Sequence, residues 1–196
     1  MRPTFLLPAL AAAWLLVSVS AHAVTADALA AAALDRLRYE VVYDPAYRTI
    51  AYPMGDVPAG TGVCTDEVIR AYRAVGVDLQ QLVHEDMKAS FRSYPANWGL
   101  VRPDRNIDHR RVPNLQVFFT RHGIAQPVTD RGADYAPGDV VTWDLGGNVP
   151  HIGMVTNRKS ADGRRPLIVH NIGAGPQLED MLFDYRITGH YRYLPD

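Results

Sequence analysis

Apolar residues in the first part of the chain recur with the period of an α-helix. Val68, Ile69, Tyr72 and Val75 are spaced so that one helical face carries all four. Similar stripes predict further helices, and Gly or Pro residues mark their ends. We predict helices over 26–38, over 64–75, from Leu79 to about Met87, and from Pro113 to Gly123.

The pattern changes after Pro137 and Gly138. Short runs of β-branched and aromatic residues follow, and each run is bounded by residues that favour turns. They predict successive antiparallel strands over 139–144, 151–156, 166–171 and 189–194. Helices followed by a meander of strands indicate an α+β fold in which N-terminal helices pack on a C-terminal antiparallel sheet.

The first 23 residues have the features of a secretory signal peptide. Arg2 precedes an apolar run over 5–19, and Ala21 and Ala23 are small residues at the positions that a signal peptidase reads. A retained membrane anchor would need a longer apolar segment. We therefore predict export to a periplasm, removal of 1–23, no stable membrane anchor afterwards, and a single domain over 24–196.

Charge and cysteine content exclude several classes of protein. The 196 residues carry 20 basic and 21 acidic side chains, a net charge of −1, so a broad nucleic-acid-binding face is not expected. One cysteine excludes an intrachain disulfide framework and a multi-cysteine metal site. The run His84-Glu85-Asp86 lacks the second histidine of a zinc-protease helix, since Lys88 stands there. Histidines that lie far apart in the sequence could also converge on a zinc ion, but we expect neither metal nor cofactor.

Cys64 occupies the position where a nucleophilic thiol is expected. It follows Gly60-Thr61-Gly62-Val63 and begins a predicted helix, whose N-terminal dipole favours the thiolate. Asp66 and Glu67 in the same turn oppose ionisation. A small buried residue at a helix start is the alternative interpretation.

Two histidines lie on consecutive predicted strands. His151 opens one strand and His170 closes the next, so an antiparallel register can bring them together. A Cys–His pair with a third polar group that orients the imidazole is the minimal apparatus for thiol acyl transfer. Asn171 is the alternative third group if the register shifts by one residue.

The order of these motifs resembles that of papain-like cysteine peptidases of the NlpC type, which are bacterial cell-wall hydrolases. The resemblance runs from Tyr52 through Gly62-Val63-Cys64 and Gly138-Asp139 to His151-Ile152-Gly153 and His170. It implies a papain-like fold with Cys64 as nucleophile, His151 as general base, His170 as orienting residue and Tyr52 lining the site. The whole chain is also similar to an uncharacterised group of secreted bacterial proteins within that superfamily.

The resemblance implies an exported thiol hydrolase that cleaves an amide bond, which we expect in the peptide stems of peptidoglycan. Substrate-binding candidates are Tyr52, Asp66, Arg110, Arg111 and Asn171; either arginine can grip a carboxylate, and a solvated loop is the alternative role for them. Two other functions stay open: a non-catalytic cell-wall binding protein, or an acyltransferase or thioesterase with the same Cys–His pair. The sequence leaves the oligomeric state open.

Overall fold

Four α-helices precede most of the β-sheet in the computed structural model, which describes residues 23–196. The helices are α1 (Ala26–Asp35), α2 (Cys64–Ala74), α3 (Leu79–Ser90) and α4 (Val112–His122). Polar side chains begin α1 and α3: Thr25 accepts the N–H of Ala28 at 3.1 Å, and Asp78 accepts that of Gln80 at 3.1 Å. The predicted helices are thus present, with ends that differ by a few residues.

Six strands form an antiparallel sheet with the order β3–β8–β4–β5–β6–β7. Their bounds are β3 Ile124–Ala125, β4 Val140–Asp144, β5 Pro150–Lys159, β6 Pro166–His170, β7 Gln177–Glu179 and β8 Arg186–Arg192. Strands β4 to β7 follow one another as a meander. The last strand departs from the predicted succession, because β8 returns to the free side of β4.

A second, two-stranded sheet brings a distant part of the chain to the start of α2. Strand β1 (Val42–Tyr43) pairs in parallel with β2 (Thr61–Gly62), so that Tyr43 lies opposite Gly62. This pairing fixes the extended segment before residue 61 next to Cys64. The sequence pattern did not predict either strand.

Alternate residues along the strands belong to two different cores. On one face, Val140, Ile152 and Met154 pack with the helices. On the other face, Trp143 and Val155 pack against residues that follow β7, including Leu182. The α+β prediction, with N-terminal helices on a C-terminal antiparallel sheet, is confirmed.

Two predictions about chain organisation stay predictions. The signal peptide over 1–23 lies outside the described residues except for Ala23, and the single domain over 24–196 has no independent test. Within residues 23–196, no helix combines the length and apolar character required to cross a bilayer.

Candidate active site

Cys64 is the first residue of α2 and lies at the end of a cavity. Val63 at the preceding position has no polar side chain, and the Asp66 carboxylate accepts its N–H at 2.7 Å instead. Gly62 leaves room for this carboxylate, because a Cβ there would lie 3.1 Å from the Asp66 Cβ. The helix start is therefore fixed by the residue three positions into it, and the thiol is held beside strand β5.

Burial dominates the acidity of the thiol. Cys64 is 5% exposed, and burial raises its pKa to about 11. The backbone N–H groups of Ile152 and Thr65 act in the opposite direction, and the charge of Asp66 raises the pKa further. The expectation that the helix N-terminus keeps this sulfur as a thiolate is therefore not met, because desolvation outweighs the helix dipole. The effect of Ile152 places the sulfur near the residue that follows His151.

Asp66 and Arg110, two predicted substrate-binding residues, bind each other. The guanidinium donates to both carboxylate oxygens, at 2.8 and 2.9 Å, and each side chain is 2% exposed. Thr65 Oγ1 donates to the Arg110 carbonyl at 3.1 Å. Glu67 is paired separately, with Arg36 at 2.8 Å. These ion pairs partly neutralise the acids beside Cys64 and attach the segment before α4 to α2, so Arg110 forms part of the wall of the site and Asp66 holds it in place.

The register of β5 and β6 brings His151 and His170 together. His170 lies opposite Gly153, two residues from His151, so both rings project from the same face. A Cβ on Gly153 would lie 3.0 Å from the His170 Cβ and 2.8 Å from Ile168 Cγ2. The absence of that side chain lets the rings approach diagonally, and His151 Nε2 lies 3.0 Å from His170 Nδ1.

Glu179 continues this chain of hydrogen bonds, although sequence reasoning missed it. Its Oε2 lies 2.8 Å from His170 Nε2, and half of its side chain is exposed. It comes from β7, which pairs with β6 so that Glu179 faces Ile168. The signal in the sequence was weak, because β7 has only three residues and no β-branched run.

The order of donors along this chain determines the tautomers of both histidines. A carboxylate only accepts, so His170 carries its proton on Nε2 and accepts with Nδ1. His151 then donates from Nε2, which leaves its Nδ1 as a lone pair. Within residues 23–196 no hydrogen bond to that Nδ1 is found. Burial, and secondarily the His170 charge, lowers the pKa of His151 to about 3, so at neutral pH the ring is an uncharged base.

Asn171 does not take part in this chain. Its Oδ1 accepts the N–H of Gly173 at 3.0 Å, and the residue is fully buried. Of the two predicted candidates for the third group, His170 is the one in contact with His151. Asn171 shapes the turn that leads out of β6.

The cavity that exposes Cys64 has a volume of about 450 Å³ and lies between the two sheets and the start of α4. Aromatic side chains line it, and Trp98 is 61% exposed at the rim. Arg111, a predicted substrate-binding residue, also lines it, with its guanidinium 5.1 Å from the Trp98 ring centre. Tyr43 is close enough to Cys64 that the thiolate charge contributes, after burial, to raising the pKa of Tyr43.

Tyr52 lies elsewhere. Its ring packs edge-on to His84 at 5.4 Å, and its hydroxyl is 3.5 Å from Glu85. The tyrosines that line the cavity are instead Tyr43, which the β1–β2 pairing carries to Cys64, and Tyr47. His84 contacts Asp108 at 3.2 Å, away from the cavity lining. Across residues 23–196, no group of three or more His, Cys, Asp or Glu side chains has an arrangement that would hold a metal ion.

Comparison with known proteins gives a family without an assigned activity. "Uncharacterized protein YijF" of Escherichia coli (strain K12) is 51% identical over 175 residues, which cover 89% of this chain and 85% of that protein. The structures of NlpC1 and NlpC2 from Trichomonas vaginalis align with TM-scores of 0.48 and 0.46, at 14% and 17% identity. Each alignment covers 87% of this chain, which spans less than half the length of those proteins, 45% and 47%. A family model described as "Domain of unknown function (DUF1287)" matches residues 30–193, and the chain belongs to that family.

Proposed function

We propose that this protein is an exported thiol hydrolase that cleaves an amide bond in the peptide part of peptidoglycan. Cys64 is the nucleophile, His151 the general base and His170 the residue that orients it. The observation that carries the proposal is the hydrogen-bonded chain from Glu179 through His170 to His151. It ends at His151 Nδ1, which has no hydrogen bond among residues 23–196, and His151 directly precedes Ile152, whose backbone N–H acts on the thiol. Export rests on the predicted signal peptide.

The uncharged pair of Cys64 and His151 defines how the reaction begins. With a thiol pKa raised to about 11 and an imidazole pKa lowered to about 3, the resting site contains S–H and neutral imidazole. No hydrogen bond joins Cys64 and His151 among residues 23–196, so the proposal requires that substrate binding bring Sγ and His151 Nδ1 together. As Sγ attacks the amide carbonyl, its proton passes to His151 Nδ1, and the resulting imidazolium donates from Nε2 to His170.

In the remaining steps, His151 carries each proton that is transferred. The backbone N–H of Cys64, at the first position of α2, has no acceptor within the helix and can stabilise the carbonyl oxyanion. His151 returns the proton to the leaving amine, and a thioester remains on Cys64. Water then attacks the thioester and gives a proton to His151. The acyl group leaves as a carboxylic acid, and the thiol is restored.

Incubation with muropeptides tests the proposal. Exported wild-type protein should release new peptide products, detected by mass spectrometry, whereas Cys64→Ala and His151→Ala should release none above background. The surface substitution His122→Ala is the matched control and should retain wild-type turnover. Equal product from wild type and Cys64→Ala would contradict the proposal. Transfer of the acyl group to an added amine instead of water would identify an acyltransferase with the same residues.

A non-catalytic cell-wall binding protein is the second candidate, and the burial of the thiol favours it. A sulfur that is 5% exposed with a pKa raised to about 11 is a poor nucleophile in the resting state. This candidate predicts that wild type and Cys64→Ala bind purified sacculi equally while neither releases peptide. Product release that depends on Cys64 excludes it.

A further inference from the structure

Two consecutive arginines precede α4, and their surroundings differ. Arg110 is saturated: its guanidinium contacts both oxygens of Asp66 and also donates to the Ala46 carbonyl at 3.2 Å. For Arg111, no ion pair or side-chain hydrogen bond occurs with any residue of 23–196, and its Nη1 atom is buried without a partner. A buried guanidinium N–H without an acceptor is costly, so this group is prepared for a ligand.

Trp98 holds the unpaired guanidinium in place. The Arg111 Cζ lies 5.1 Å from the centre of the indole ring, within the range of a cation–π contact. Trp98 has a φ of 55°, a left-handed backbone conformation that is uncommon for a residue other than glycine. Arg111 also lines the cavity, so part of its side chain faces that space and can meet an acceptor there.

The rest of the cavity is compatible with a negatively charged group. Among residues 23–196, those that line it include no Asp or Glu, and the nearby Asp66 is already paired with Arg110. The first residues of α2 and α4, Cys64 and Val112, both lie on its wall, so two helix N-termini add to the positive potential. Arg111 and Cys64 line this one cavity of about 450 Å³.

We propose that Arg111 binds a carboxylate of the substrate through its guanidinium edge, and that the amide cleaved by Cys64 therefore lies next to a residue with a free carboxylate. This inference rests on the proposed function and names its substrate class: acidic peptides rather than neutral or amidated ones. Bidentate binding explains why the position carries arginine, since a lysine ammonium cannot match both carboxylate oxygens.

Two peptides test the proposal in the wild-type protein. One is the stem tetrapeptide L-Ala–γ-D-Glu–meso-diaminopimelate–D-Ala, and the other is the same peptide with its carboxylates converted to primary amides. A charge-assisted pair predicts a preference for the acid of about 10–100-fold in kcat/KM. Arg111→Met should reduce that ratio towards one, and Arg111→Lys should give an intermediate ratio. The exposed Arg102 provides the control, because Arg102→Met makes the same change of charge and should keep the wild-type ratio.

A binding measurement separates this inference from the proposed function. Calorimetry with Cys64→Ala should show the same preference for the acidic tetrapeptide, and Cys64→Ala/Arg111→Met should lose it. If this preference is found while wild type cleaves neither peptide, recognition of a carboxylate stands and hydrolysis fails. The proposal is overturned if wild type shows no preference in turnover or binding, or if Arg111→Met weakens both peptides by the same factor.

Discussion

Two histidine–carboxylate networks lie on the same sheet, and only one ends in a free lone pair. In the first, Asp139 accepts from His190 at 2.8 Å and from Arg192 at 2.7 and 2.9 Å. The other ring nitrogen of His190 faces the Pro127 carbonyl at 3.1 Å, so both nitrogens face acceptors. In the second, Glu179 bonds only to His170 among the described residues, and the chain ends at His151 Nδ1.

The difference shows how similar residues can form a closed network in one place and leave a ring nitrogen without a partner in another. Burial alone would raise the pKa of Asp139, but the bonds from His190 and Arg192 lower it, so its charge is retained and fully compensated. Both nitrogens of His190 already face acceptor oxygens, so neither is left open to receive a proton from another group. In the second network each ring donates from its Nε2 towards Glu179, so His151 keeps its Nδ1 as a free acceptor.

The largest effect is expected from Asp139→Ala, which tests the structural side of this comparison. Removal of the carboxylate leaves the Arg192 guanidinium without a counter-charge and a buried His190 nitrogen without its partner, and breaking such a buried network costs about 3–5 kcal/mol in the free energy of unfolding. Urea denaturation measures it. The matched control is Asp144→Ala, whose partner Arg186 is mostly exposed and whose loss should cost about 0–1 kcal/mol. Equal losses in the two variants would contradict a structural role for Asp139.

The pH dependence of stability tests the other network. The pKa of His151 is about 3 in the folded protein and about 6.5 in an unfolded chain. The unfolded state therefore binds the extra proton, and the free energy of unfolding should fall as pH decreases from 6.5 towards 3. Between pH 6.5 and 4 the contribution is roughly 2–3 kcal/mol.

Urea denaturation across that range compares wild type with His151→Gln, which should lose this part of the acid sensitivity. The pKa of His109 is likewise lowered to about 3, chiefly by burial, and its contribution cancels between the variants. The same slope in both proteins would show that His151 takes up its proton at an ordinary pH in the fold.

A side chain at position 153 should separate the two rings. In Gly153→Ala, the new Cβ would lie 2.9 Å from the Val169 carbonyl oxygen and 3.0 Å from the His170 Cβ, so β6 must shift. Overpacking of this kind costs about 1–3 kcal/mol. Turnover should fall in folded protein because the His151–His170 contact is lost. Gly60→Ala is the control, since no atom lies within 4 Å of its Cβ. If Gly153→Ala kept wild-type turnover, the contact between His151 and His170 would not be required for activity.

Periodicity predicted the helices and four strands because each has a local apolar pattern. The helix Cys64–Ala74 is buried all round over its first nine residues, whereas Val112–His122 buries one face, and the ends of both carry recognisable signals. Strand β8 illustrates the limit: its residues read as a strand, but its pairing with β4 depends on contacts between distant parts of the chain.

The candidate nucleophile and histidines could be picked out from the sequence, whereas the residues that surround them could not. Cys64, His151 and His170 stand out by type and position, and the structure brings the two histidines into contact. Tyr43 was missed in favour of Tyr52, because a two-residue parallel pairing decides which tyrosine reaches the cavity. The ionisation of the thiol stayed open in the sequence, because the helix dipole and the neighbouring acids are visible there and the degree of burial is not.

Substitution of Glu179 should give the smallest change in stability, and it tests the network of Glu179, His170 and His151, which we call the open network. Glu179→Gln keeps an oxygen that can accept from His170 Nε2 but removes the charge, whereas Glu179→Ala removes both. The side chain is half-exposed, so unfolding should change by less than about 1 kcal/mol. Burial lowers the pKa of His170, and the Glu179 carboxylate works against that lowering. Loss of the Glu179 carboxylate should therefore lower the pKa of His170 further. The decline of kcat on the acidic side of the pH profile should then move to lower pH.

The same loss should lower kcat, because the imidazolium formed on His151 is no longer stabilised through His170. A supporting contact of this kind is worth about 10-fold, or ~1.4 kcal/mol, for Glu179→Gln and more for Glu179→Ala, with KM unchanged because Glu179 does not line the cavity. Nitrogen-15 NMR provides a second readout, since both rings should carry their proton on Nε2 in wild type and lose that preference in Glu179→Ala. The exposed Glu40→Gln is the matched control. Unchanged tautomers and unchanged kcat in Glu179→Ala would mean that the Glu179 carboxylate neither sets the tautomer of His170 nor contributes to turnover. Only the two histidines would then belong to the functional network.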